Sequence, residues 1–115
     1  MAAMNGNDRL VTFGDDALAD APWERSPNGR LVRIVEVYRA GNVRAGVWEG
    51  EPGPAVISGH PYDEYCTITA GQLVVSGSSG SESTFGPGDS FALPKGFVGT
   101  WDVRQRVRKN YFIAE

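Results

Sequence analysis

Histidine and cysteine are nearly missing from this chain. Its 115 residues include one of each, His60 and Cys66. A lone cysteine excludes an intramolecular disulfide and fits a reducing compartment. No apolar run approaches the length that spans a bilayer. Met1 to Asn7 has neither the basic region nor the apolar core of a secretory leader. No block of lysine and arginine is present. The densest basic stretch, Arg104, Arg106, Arg108 and Lys109, alternates as a strand would, and the formal net charge is −3. The electrostatic footprint of a nucleic-acid binder is therefore absent. These absences lead us to expect a cytoplasmic protein with neither nucleic acid nor membrane as partner. A long helical period is also missing, which turns attention to strands.

Glycine and proline are plentiful, at 15 and 7 residues. Without a collagen period, they signal many tight turns, as in an all-β fold. Residues 1–8 are small and polar. Leu10, Val11 and Phe13 suit a short strand or a docking arm, and Asp15 to Ala21 suits one helical turn stopped by Pro22. We therefore expect a flexible arm over 1–20 and one β domain over 21–115. After the turn Ser26-Pro27-Asn28-Gly29 the strand segments crowd together: Leu31 to Arg39, Val43 to Glu49, Ala55 to Ser58 and Tyr62 to Thr69. Leu73 to Ser76, Thr84-Phe85, Ser90 to Leu93, Gly99 to Val103 and Val107 to Ile113 follow. Ala70-Gly71-Gln72, Gly77 to Ser83 and Gly86 to Asp89 read as reversals between them. Short strands at near-regular spacing predict a sandwich or barrel.

Two segments carry a family pattern. Glu64 is followed by six residues and Gly71. Gly88, with Asp89 behind it, is followed at the right spacing by Pro94 and Gly96. The wording HPYDEYCTITAGQL, FGPGDSFALPKGFVGTWDV and VRKNYFI, with GVWEGEPG upstream, resembles the cupins. Within them it is similar to the branch of (S)-ureidoglycine aminohydrolases and ethanolamine-utilisation proteins. The likeness covers roughly residues 31–113. It implies a single cupin (RmlC-like) jelly-roll β-barrel, all-β, that commonly pairs as a homodimer. The apolar strand from Leu31 to Arg39 is the expected joining edge.

In metal-binding cupins three histidines and a glutamate face the barrel interior. Here His60 and Glu64 stand at two of those places, whereas Ser58 and Gly99 stand at the other two. Two donors do not hold Zn, Fe or Mn against water. Cys66 is a third donor only if it is more than an apolar filler. We expect no metal and no cofactor. Glu64, set among Tyr62, Tyr65, Cys66 and Ile68, is the candidate catalytic residue. Desolvation there raises a carboxylate's pKa unless a cation is close, and a raised pKa suits an acid or base. The structural alternative is a glutamate bonded to a backbone amide, to Lys95 or to an arginine. His60, Tyr62 and Cys66 share its strand face or its approach. Trp101, with Trp48, suits a pocket wall. Lys95 is a candidate cation, and Lys109 and Tyr111 share a face of the last strand. The resemblance implies a small nitrogenous or carboxylated metabolite as ligand. The expected function is to bind or transform a small polar metabolite in the barrel, with turnover left open. The alternative is a metal-free cupin that binds without catalysis or serves as a dimeric structural unit.

Overall fold

The computed structural model of the chain describes residues 10–115. The part of the expected arm over 1–9 lies outside them. The strands are β1 (Glu24–Arg25), β2 (Leu31–Ala40), β3 (Val43–Gly50), β4 (Gly53–Ser58), β5 (Asp63–Gly77), β6 (Glu82–Phe85), β7 (Ser90–Leu93) and β8 (Val98–Ala114). Every pairing is antiparallel. The all-β architecture expected from turn spacing is the one observed.

Two long strands organise it. The first half of β5 lies beside the second half of β8, with Glu64 opposite Ile113 and Ile68 opposite Lys109. The second half of β5 lies beside the first half of β8, with Leu73 opposite Val103 and Gly77 opposite Gly99. Each half recruits its own neighbours. The order β1-β2-β3-β8-β5-β7 forms one layer, and β4-β8-β5-β6 forms the other. The sequence reading split each long strand into two. Ala70 to Gln72 is not a reversal: β5 runs through it, with register shifts on both sides of Ala70 and again after Gln72. Gly71 has φ +86, and a Cβ there would lie 2.0 Å from the Arg106 carbonyl oxygen. Bulges of this kind bend a strand without ending it, and here the bend carries the chain from one layer to the other.

Side chains from both layers meet in one core. Cys66, Ile68 and Leu93 come from the first, and Ala55, Leu73, Val75, Trp101 and Val103 from the second. Burying a residue such as Ile68 or Leu73 contributes about 1.5–3 kcal/mol. Ahead of β1, Asp15–Leu18 forms a single 3-10 turn. It seats Leu18, fully buried, beside β2 and β3. Arg33 donates to the Leu18 carbonyl at 3.1 Å and pairs with Glu49 at 2.7 Å. The last turn of the expected arm is thus docked on the barrel, whereas Leu10, Val11 and Phe13 form no strand and are exposed. No helix among the described residues is long and apolar enough to cross a membrane.

Candidate functional site

Strand alternation sets the site. Along β5, Glu64, Cys66 and Ile68 are buried while Asp63 and Tyr65 are exposed. Along β8, Val107, Lys109, Tyr111 and Ile113 are buried. Register places the two sets on one inner face, and the Lys109 ammonium reaches Glu64 Oε2 at 2.7 Å. Glu64 and Lys109 are only 6% and 7% exposed. His60 precedes β5, and its backbone is tied to the next turn: its N–H donates to the Phe97 carbonyl, and its own carbonyl accepts from Gly96. That brings His60 Nε2 to 2.9 Å from Glu64 Oε1. The Cys66 thiol donates to Oε2 at 3.3 Å. The carboxylate is therefore ringed by three partners.

Lys109 has aromatic company. Its ammonium stands 4.4 Å from the Trp101 ring centroid and 5.0 Å from that of Trp48. The two indoles meet edge to face at 6.0 Å. A cation over such faces, away from water, gains further stabilisation of about 0.5–2 kcal/mol. Tyr62 meets His60 edge to face at 4.9 Å, with the Arg44 guanidinium 5.1 Å from its centroid. Tyr111 packs where β3 has no side chain: a Cβ on Gly46 would lie 2.6 Å from its hydroxyl.

Burial alone would raise the Glu64 pKa. The Lys109 charge and the hydrogen bonds from His60, Lys109 and Cys66 outweigh it and hold the carboxyl at about 2. The expected upward shift is corrected here: the cation that reverses it is Lys109, delivered by the last strand. Burial, reinforced by the Glu64 charge, pushes the Cys66 thiol up to about 12. Burial would lower Lys109, but facing Cys66 and Glu64 raise it instead. Because that thiol stays protonated at neutral pH, Glu64 is the anion that keeps the lysine charged.

These groups form one end of a cavity of about 290 Å³ between β2, β3, β8 and β4. His60, Tyr62, Glu64, Trp101, Lys109 and Tyr111 all line it, as does Trp48. Two expected residues do not. Cys66 is fully buried behind Glu64. Lys95 sits exposed in the turn before β8, where its backbone N–H donates to Asp63 Oδ1 at 2.8 Å. Sequence reading overlooked Arg30, Val32 and Ile34, which form the opposite wall. The available signal was their position directly after the Ser26 to Gly29 turn, but nothing local shows that β2 faces Glu64.

The donors do not fit a divalent metal. Ser58 is exposed. Gly99 offers no side chain, and a Cβ there would lie 1.9 Å from the Ser76 carbonyl oxygen. Among the described residues no three His, Cys, Asp or Glu side chains are grouped as ligands. The cation on Glu64 is the lysine's own.

Solved structures share this architecture. The EutQ protein of Clostridium difficile superimposes with a TM-score of 0.68 at 16% identity, over 92% of this chain and 80% of that one. An ethanolamine utilization protein q assignment from Salmonella typhimurium LT2 gives 0.71 at 17%, over 91% and 92%. A protein of unknown function from Pseudomonas syringae pv. tomato DC3000 gives 0.70 at 25%, over 92% of this chain but 45% of that one. A comparison with curated proteins returned no match. Residues 37–111 match the model of the EutQ-like cupin domain, a span that takes in β3, all of β5 and β8 as far as Tyr111, with Glu64 and Lys109, and the chain therefore belongs to the EutQ-like cupin family.

Proposed function

We propose that the protein binds a small polar metabolite in the barrel, with His60, Glu64 and Lys109 as the polar end of the site. One observation carries this reading: a cavity with largely apolar walls in which an acid, a base and a tyrosine converge at one end. Sites of this make-up are typical of small-molecule recognition. The likeness to ureidoglycine aminohydrolases supports a nitrogenous or carboxylated ligand. Glu64 serves as a fixed anion and hydrogen-bond acceptor. Held at about 2, it is too weak a base to carry protons at neutral pH. His60, held by its hydrogen bond to Glu64 at 2.9 Å, lines the cavity beside it and adds a second polar group to that end of the site.

The test is a thermal-shift screen of small carboxylates, amides and amines, followed by titration of tryptophan fluorescence, since Trp48 and Trp101 both line the cavity. At least one compound should bind saturably. Ile34→Trp, at a half-exposed wall position, should block that binding without lowering the melting temperature. A panel with no saturable binder sinks the proposal in favour of a structural role.

A further inference from the structure

We infer that the ligand is a small monocarboxylate with an apolar body, and that Arg30 is the residue that holds its carboxylate. This rests on the ligand-binding reading above and names the class of ligand. The charges around the cavity decide it. Glu64 is neutralised by Lys109, and His60 is already bound to Glu64. Arg30 lines the same cavity and has no carboxylate in ion-pair range among the described residues. Its Nη2 donates to the carbonyls of Gly53 and Trp101, which fixes the plane of the guanidinium. Its Nε is buried and has no hydrogen-bond partner. Burial lowers its pKa, and the carboxylate that acts against this, Asp102, is itself held by Arg104 at 2.6 Å. With Nη2 committed to two carbonyls, the anchored guanidinium keeps its charge and its Nη1 donors, with no carboxylate within ion-pair distance among the described residues, and so offers a charge-assisted hydrogen bond to a ligand carboxylate. Arg44 also has a buried Nε without a partner, but it stands over Tyr62 with Glu115 3.8 Å away.

The remaining walls define the body of the ligand. Val32, Ile34, Trp48 and Ile57 offer apolar surface. A second carboxylate would be left against these walls or against the Glu64 oxygens, at the full cost of desolvation. The volume lies at the small end of the range for ligand pockets.

The experiment titrates tryptophan fluorescence of the full chain with three matched probes: phenylacetate, phenylacetamide and phenethylammonium. Phenylacetate should bind about tenfold or more tighter than the amide, and the ammonium should bind weakest. Arg30→Gln should bring carboxylate and amide to within about threefold, and Arg30→Lys, which keeps the charge but loses the planar guanidinium that the Gly53 and Trp101 carbonyls anchor, should fall between. If the amide or the ammonium matches phenylacetate on the wild-type chain, the ligand class is wrong while the cavity stands. If Arg30→Gln or Arg30→Lys keeps the full preference, the assignment to Arg30 is wrong. If no probe saturates by about 20 mM, a concentration well above millimolar dissociation constants, the apolar-bodied monocarboxylate is wrong, while the ligand-binding reading is decided separately by the wider panel above. The comparison on the wild-type chain decides the class even if a variant fails to fold.

Discussion

Replacing Glu64 by glutamine keeps the shape of the side chain and removes its charge. The Lys109 ammonium then stays buried between two indoles without its anion. The magnitude follows from the carboxyl itself. Its drop from the ordinary 4.5 to about 2, at about 1.36 kcal/mol per pH unit, corresponds to about 3 kcal/mol. Breaking one side of a buried ion pair costs a similar amount, about 3–5 kcal/mol. The folded pKa lies below the unfolded one, so this stability is present in full above about 4.5 and is lost as pH falls toward 2. From the lysine's side the sign reverses: its raised pKa means the same ion pair is lost at alkaline pH, above its ordinary 10.5. The assay is urea denaturation followed by tryptophan fluorescence near pH 7, 4.5 and 3. Glu64→Gln should lose about 3 kcal/mol near neutrality, a large share of a small domain's stability, and the gap to wild type should narrow in acid. Glu64→Gln combined with Lys109→Met should cost less than the two single changes added together. A neutral-pH difference under about 0.5 kcal/mol, or one that persists undiminished near pH 3, would refute the ion-pair reasoning.

Four further outcomes are expected. Cys66, fully buried with its thiol pushed up to about 12, should resist an aromatic disulfide reagent in the native protein and react at once in denaturant; fast native labelling would contradict this. Gly71→Ala should destabilise by more than about 1 kcal/mol, because φ is +86 and the new methyl meets the Arg106 carbonyl; a neutral effect in denaturant melts would mean β5 bends elsewhere. Protein purified without a histidine tag should carry well under one equivalent of Mn, Fe, Ni or Zn by elemental analysis, and a full equivalent that disappears in Glu64→Ala would make Glu64 a ligand. A homodimer joined along β2, where Ile34 and Tyr38 remain half exposed, should give twice the chain mass in light scattering; a monomer at micromolar concentration counts against it.

Much of the barrel was legible along the chain because strands and turns are local. Period-two alternation placed Glu64 with Cys66 and Lys109 with Tyr111, and turn chemistry found Gly88 and Gly96, both at positive φ. Local signals also misled where one residue type serves two purposes. Gly71 reads the same whether a strand reverses or bends, and only the pairing with β8 shows that it bends. The spacing of His60, Glu64, Ser58 and Gly99 was enough to expose a departure from the metal-binding pattern. The cation that meets Glu64 was not visible. Lys109 lies 45 residues from Glu64, and no local rule sets the register that brings its ammonium to the carboxylate. A desolvated glutamate in isolation titrates high, and the same glutamate beside a buried lysine titrates low. Arg30 became a wall of the same cavity because β2 pairs with β3, β3 with β8 and β8 with β5. The sequence by itself determined which side chains point inward on each strand, because alternation is a property of the backbone. Which charges meet inside was decided only by the tertiary structure, because Coulomb energy depends on distance in space and on the exclusion of water, and the folded barrel sets both.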